Sequence, residues 1–273
     1  MKKITIVLFS TFIFYGCEDV IEIDVPSGES KLIVDAFFEV YYNQTPVTAN
    51  TIVKLRESTD YFEEQIPIVT NATVLIKDLT NNIEIMFTDN NLDGDFEPIT
   101  PFIPLQNIEY ELNIFFNNEM YKASTSKIIT SGFSEVFQGD STLFSGEEIE
   151  VNVSIMDDIT TDNYYLFDFS NNLYLSIEDR FFNGSRYNFS FFYQEDEIVL
   201  PTDVTIKMSG ISKEYLTYFR VLISQSGQNS GGPFQTIPSS LLGNIVNTTN
   251  IENFPLGYFH ISETDTYNLS LTE

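Results

Sequence analysis

The chain has 273 residues, of which 42% are hydrophobic, so it is long enough and apolar enough to fold around a sizeable core. Its 40 acidic residues outnumber 13 basic ones, which gives a formal net charge of −27 at pH 7. Because such a surface repels phosphate groups, the composition argues against nucleic-acid binding and against electrostatic binding of anionic lipids by clustered basic residues.

The first predicted element is an export signal at the amino terminus. Two lysines precede an apolar stretch, Ile4–Tyr15, which is too short to span a bilayer as a helix, where about 20 residues are needed. Gly16 and then Cys17, the one cysteine of the chain, follow in an arrangement that resembles a bacterial lipobox. We therefore predict a signal peptide over 1–16 and a lipid on Cys17, against the alternative of a secreted protein that is cut elsewhere.

An acidic segment follows the predicted lipidation site. Glu18 and Asp19 resemble the short signal that carries lipoproteins of Bacteroidota to the outer face of the outer membrane. Residues 17–30 are predicted to be a tether, because Pro26 and Gly28 interrupt regular structure. The predicted location is the outer membrane, with the protein lipid-anchored and facing the cell surface.

Short runs of β-branched and aromatic residues fill residues 31–128 and predict an immunoglobulin-like β-sandwich. A three-residue connection, 80–82, between two of these runs predicts a hairpin. The predicted strands are LIVDAFFEV (32–40), NTIVKLRES (50–58), ATVLIKDL (72–79), IEIMFTD (83–89), EYELNIFF (109–116) and MYKASTS (120–126).

A second β-rich domain with one helix is predicted over 129–273, so the fold class is mainly β. Ser212 as N-cap and Gly227 as C-terminal stop bound a helix near 212–226, whose apolar residues recur at helical spacing: Tyr215, Leu216, Phe219, Leu222 and Ile223. The predicted strands are 148–158, 163–170, 173–179, 186–194 and 203–210, followed by a closing pair of strands around GYFHIS and YNLSLT.

The segment DNNLDGDFEPIT, 89–100, resembles a calcium-binding loop. Oxygen-bearing side chains alternate along it, and Gly94 allows a sharp turn, as hard-cation ligation requires. Position twelve is Thr100, so the usual bidentate carboxylate is missing, and a plain hairpin turn is the alternative. If calcium is the cofactor, its candidate ligands are Asp89, Asn91, Asp93, Asp95 and Glu97.

The segment RFFNGSRYNFSFFY, 180–193, concentrates aromatic residues in one predicted hairpin. Strand alternation sends part of this set outward if the rest is core, so an exposed patch there would mark a binding surface. The alternative is that both faces are covered. The candidate surface residues are Phe181, Phe182, Tyr187, Phe191 and Tyr193.

No catalytic residue is predicted. His260 is the one histidine of the chain, and it alternates within GYFHIS as an ordinary strand residue, so neither a multi-histidine metal site nor a Cys–His pair can be built. Acidic pairs that a glycan hydrolase could use are expected from composition alone.

Six stretches in order along the chain resemble the Bacteroidota outer-membrane lipoproteins grouped as domain of unknown function 4249. These are CEDVIEIDVPSGESKLIVDAFF, IEYELNIFFNNEMYKASTSK, DRFFNGSRYNFSF, EYLTYFRVL, PFQTIPSSLLGNI and LGYFHIS. The resemblance implies a non-enzymatic accessory partner of a TonB-dependent outer-membrane barrel in nutrient capture. The alternatives are a calcium-stabilised adhesin-like module and a glycan-active hydrolase.

Overall fold

The computed structural model describes residues 28–60, 63, 65–226 and 241–273. The predicted signal peptide and nearly all of the predicted tether lie outside the described residues. Within those ranges, no helix is long and apolar enough to cross a membrane.

The described residues are mainly β, as the sequence predicts. The strands of the first half are β1 (Leu32–Tyr41), β2 (Thr48–Asn50), β3 (Val53–Glu57), β4 (Thr73–Asp78), β5 (Ile83–Thr88), β6 (Asp95–Pro98), β7 (Glu109–Phe116) and β8 (Glu119–Ile128). The elements of the second half are β9 (Phe133–Gln138), β10 (Ile149–Met156), β11 (Tyr164–Asp168), β12 (Tyr174–Glu178), β13 (Arg186–Tyr193), β14 (Thr202–Ile211), the helix α1 (Lys213–Gln225), β15 (Val246–Asn247) and β16 (Leu256–Leu271). A 3-10 turn, Asp179–Phe181, follows β12.

The strands of the first half, together with β16, form a sheet that closes on itself. Its strands follow the order β16, β1, β3, β6, β5, β4, β7 and β8, and β8 returns to pair with β16 at Lys127 and Ile128. Alternate residues of β1, from Leu32 to Val40, point inside and are buried, as the period of two in a strand requires. Burial of these apolar side chains is the main stabilising contribution to this first core.

The predicted hairpin at 80–82 is confirmed. β4 and β5 pair in antiparallel register on either side of it, and Asn82 takes the left-handed φ of 54° that asparagine tolerates. The Asp78 carboxylate fixes the turn, because it accepts hydrogen bonds from the backbone N–H groups of Thr80 (2.9 Å) and Asn81 (2.8 Å).

A second core lies between two sheet layers. The three-stranded sheet β13, β10 and β9 forms one layer, and the β12, β11, β14 and β16 part of the long sheet forms the other. Tyr165 and Phe167 of β11 point into this core, whereas Leu166 between them points to the opposite face. Because successive side chains of a strand point to opposite faces of the sheet, β11 contributes to two apolar clusters.

The expectation of a closing strand pair is wrong, because Leu256–Leu271 is one continuous strand of 16 residues. β16 lies parallel to β1 and antiparallel to β14, and its residues reach both cores: Phe259 and Ile261 lie in the first, and Leu271 lies in the second. The predicted boundary between 128 and 129 coincides with the end of β8. The chain nevertheless returns across that boundary and completes the first core.

The predicted helix is confirmed. Ser212 caps α1, since its Oγ accepts a hydrogen bond from the Tyr215 N–H (3.1 Å). Tyr215, Leu216 and Phe219 are buried on its inner face, whereas Leu222 is 38% exposed. The helix packs with Leu166 and Ile211 in a third apolar cluster, and the predicted stop at 227 lies outside the described residues.

Candidate functional site

A cleft of about 550 Å³ opens between α1 and the outward faces of β1, β11 and β14. We call it the helix cleft. The lining residues that bear charges or aromatic rings are Asp35, Phe37, Glu39, Lys54, Asp168, Tyr174, Lys207, Tyr215, Tyr218, Phe219 and Tyr258.

The alternation of β1 produces one wall of the helix cleft. The residues that face the first core are apolar, and those between them, Asp35, Phe37 and Glu39, face the cleft instead. The strand register places Lys54 of β3 and Tyr258 of β16 on either side of Asp35. A charged and aromatic row therefore crosses three neighbouring strands.

One ion pair lies inside the helix cleft. The Lys207 ammonium donates to both carboxylate oxygens of Glu39 at 3.0 Å and lies 5.8 Å from the centre of the Tyr41 ring. Burial raises the pKa of the nearby Asp168 carboxyl above its ordinary value, although a backbone hydrogen bond and the charge of Lys207 oppose the rise.

Asp35 differs from Glu39 in having no salt bridge with any residue in the described part of the chain. Its side chain faces the rings of the helix and of the neighbouring strands, and its negative charge acts on the tyrosine hydroxyl groups there. Burial is the larger cause, and the charge of Asp35 the second, of a rise in the pKa of Tyr218 to about 12. The same two causes raise the pKa of Tyr215.

The tyrosine rings form a continuous aromatic lining. Tyr258 lies 5.0 Å from Tyr215 in an edge-on arrangement and 4.9 Å from Tyr218, measured between ring centres. Tyr174 lies 5.4 Å from Phe219 and closes the side formed by β12. These rings offer flat apolar faces to a ligand in the same cleft that the carboxylates line.

His260 lies behind this aromatic lining. Its ring stacks on Tyr215 at 4.7 Å and on Phe37 at 5.4 Å, and the residue is 1% exposed. Burial lowers its pKa to about 4, so the imidazole is neutral at pH 7. His260 is therefore part of the packing, and the helix cleft offers rings and carboxylates to a ligand.

Of the candidate calcium ligands, Asp89, Asn91 and Asp93 lie in the turn between β5 and β6, whereas Asp95 and Glu97 lie in β6 itself. These two strands pair in antiparallel register, so the hairpin that the sequence left open as an alternative is confirmed. The two oxygens of Asp89 accept from the N–H groups of Asp93 (3.2 Å) and Gly94 (2.9 Å), and Asp95 forms a salt bridge with Arg56 at 2.7 Å.

The other two candidate ligands, Asn91 and Glu97, are exposed to solvent. Throughout the described ranges, no group of three or more histidine, cysteine, aspartate or glutamate side chains is arranged to hold a metal. Calcium binding at this turn stays a prediction.

The aromatic set of 180–193 is distributed between core and surface. Tyr193 is fully buried and donates from its hydroxyl to the Phe169 carbonyl at 2.6 Å, so it is a core residue and not a surface residue. Phe191 stacks on Phe169 at 3.8 Å. Tyr193 is therefore fully buried and Phe191 partly buried, because both pack on the β11 end of the facing layer.

The remaining members of that set lie at the other end of β13. Phe182 stacks on Tyr187 at 4.1 Å, and both are partly buried against the second core. Phe181 is 89% exposed and is the one member that solvent reaches almost completely.

The lipidation and export residues Cys17, Glu18 and Asp19 lie outside the described residues. The helix cleft was missed by sequence reasoning. The available signal was the row of Asp35, Phe37 and Glu39, which alternates with the core residues of β1 and places two carboxylates and a ring on its outward face.

Residues 18–268 match a protein family described as "Domain of unknown function (DUF4249)". No curated protein matches the chain. A crystal structure of the selenomethionine-substituted chicken interferon gamma receptor alpha chain aligns with 68% of this chain and 88% of its own length, at 11% identity and a TM-score of 0.20. At that TM-score the likeness carries no argument about the fold or the site.

Proposed function

The chain belongs to the DUF4249 family, and we propose that it is a surface-exposed outer-membrane lipoprotein that acts, without catalysis, as a binding partner of a TonB-dependent transporter in nutrient capture. The observation that carries this proposal is the amino-terminal sequence. A basic start, a short apolar stretch and Gly16-Cys17 fit a lipoprotein signal, and Glu18-Asp19 fits surface export.

Acylation of Cys17 would give a stable anchor. Each buried methylene contributes about 0.8 kcal/mol, so two or three acyl chains hold a protein at a membrane where one chain does not. Fourteen residue steps separate Cys17 from Lys31, which allows a reach of about 50 Å at most. An anchor at Cys17 would therefore keep the folded part within about 50 Å of the membrane surface.

The helix cleft supports a binding role. Its lining runs along β1 from Ile33 to Glu39 and combines charged and aromatic side chains. Its volume of about 550 Å³ falls in the range of small-molecule sites, about 300–1,000 Å³. A ligand held there would be kept within the reach of a membrane transporter.

Mild-detergent purification from native membranes tests the proposal. The full chain carrying a C-terminal tag should recover a TonB-dependent transporter in stoichiometric amount. The matched control is a Cys17→Ser chain directed to the periplasm by an unrelated cleavable signal, which should recover much less. Recovery of a clean monomer from the anchored form would contradict the proposed partner.

A further inference from the structure

We infer that the helix cleft binds an organic cation, a protonated amine or guanidinium carried on an apolar body. The inference rests on the proposed function, because it names the ligand class of the binding protein. Its grounds are the unpaired Asp35 carboxylate, the tyrosine rings around it and the charge balance of the lining.

The charge balance favours a cation. Among the described residues, three carboxylates, Asp35, Glu39 and Asp168, and two ammonium groups, Lys54 and Lys207, line the helix cleft. The ion pair of Lys207 with Glu39 neutralises one of each sign. Asp35 and Asp168 remain against Lys54, in a chain whose formal net charge is −27, so the field at the cleft attracts positive ligands and repels anions.

Asp35 provides the point of recognition. Its side chain is exposed, and its carboxylate has no salt bridge among the described residues, so it can accept charge-assisted hydrogen bonds from an incoming ammonium without breaking an existing pair. Lys54, its neighbour across the strand pair, is also exposed and lies beyond ion-pair distance of it.

The rings provide the second half of the recognition. Tyr174, Tyr218 and Tyr258 surround the region that Asp35 faces, and aromatic faces attract cations within about 6 Å of the ring centre. The floor, formed by Leu166 and Phe219 beneath these rings, accepts the apolar body of the ligand. A compact inorganic cation would gain nothing from this floor, whereas an arylalkyl amine would use both parts.

Matched small-molecule probes test the inference. Phenethylamine is protonated at pH 7, and 2-phenylethanol has nearly the same shape without the charge. Calorimetric titration of the full chain in mild detergent, with the detergent blank subtracted, should show phenethylamine binding at least about tenfold tighter than 2-phenylethanol. Added salt should weaken the amine and leave the alcohol unchanged.

Variants locate the binding site. Asp35→Asn should weaken phenethylamine by about tenfold and leave 2-phenylethanol unchanged, because it removes charge and keeps shape. Asp140→Asn makes the same change at an exposed position in the loop after β9 and should leave both probes unchanged. Lys54→Met should tighten the amine by about threefold, because it removes the opposing charge.

Three results would overturn the inference: equal affinity for the amine and the alcohol, an Asp35→Asn chain that binds the amine as the native chain does, or tight binding of maltose, a neutral sugar, with no response to either probe. Recovery of a transporter together with one of these results would overturn the ligand class alone. Amine binding without a recovered transporter would overturn the partner alone.

Discussion

Gly257 lies near the start of β16, where that strand begins to pair with β1. Its replacement by alanine tests how strongly the parallel pairing of the two strands stabilises the fold. Gly257 has a φ of 105° and is opposite Val34 in the strand register. A methyl group at this position would overlap the Val34 carbonyl oxygen, and the Gly257 carbonyl is itself approached closely by Gly243. The Gly257 backbone is therefore closely packed against both Val34 and Gly243.

Two costs add for Gly257→Ala. A non-glycine residue at this φ costs about 1–3 kcal/mol. Crowding against a backbone carbonyl in a packed region adds about 1–3 kcal/mol. The free energy of unfolding should therefore fall by about 2–6 kcal/mol, and because Gly257 also lines the helix cleft, phenethylamine binding should weaken with it.

Gly146→Ala is the matched control. Gly146 also has a positive φ, 82°, but no atom lies within 4 Å of the position that a methyl group would take. Only the backbone cost, about 1–2 kcal/mol, applies there.

Urea unfolding followed by the fluorescence of the fifteen tyrosines measures both variants, since the chain has no tryptophan. Equal losses for the two variants, within about 0.5 kcal/mol, would refute the role of the β1–β16 approach.

Three further changes follow from the structure. Ser212→Ala should cost about 1 kcal/mol and Ser212→Asn almost nothing, measured by urea unfolding, because asparagine can also accept the helix-capping hydrogen bond; an equal loss for both would contradict the cap. His260→Phe should remove a pH dependence of stability. Burial lowers the folded-state pKa of His260 to about 4, so its contribution to stability is full above pH 6.5 and is lost as the pH falls towards 4. Between pH 7 and pH 4.5, the free energy of unfolding of the variant should therefore rise by about 2–3 kcal/mol relative to that of the native chain. Phe169→Ala should cost about 3–5 kcal/mol, whereas Phe181→Ala should change stability by less than about 0.5 kcal/mol, and a large loss for Phe181→Ala in the same assay would contradict its exposure.

Most strands of the first half could be predicted because each has one apolar face. In β1 and β7 that alternation is unbroken over eight or more residues, and the turn chemistry at 80–82 marks the hairpin between β4 and β5. The helix could be predicted because its apolar residues recur at a period that no strand produces.

β16 was predicted as two strands because its centre is polar. Ser262, Thr264 and Asp265 resemble turn residues in the sequence, yet all three are buried. Their partners come from distant parts of the chain: the Thr264 hydroxyl is 2.8 Å from that of Ser209, and Asp265 accepts from the Phe133 N–H at 2.7 Å. Satisfied hydrogen bonds make these burials possible, and a single sequence does not reveal such partners.

β6 and the helix cleft were missed for related reasons. β6 is short, ends in Pro98 and lies inside the segment that resembles a calcium loop, so its pairing with β3 and β5 has no local signal. The helix cleft combines Asp35, Asp168 and Tyr218, which are brought together only by the strand order of the long sheet. The chemistry of each residue was visible in the sequence, and their proximity was not.

The intact mass of the native protein, extracted from membranes without exogenous acylation, is the most direct test of the proposed anchoring. We expect a polypeptide that begins at Cys17 and carries the added mass of two or three acyl chains. A chain that retains residues 1–16, or one recovered from the medium without added acyl mass, would contradict the account.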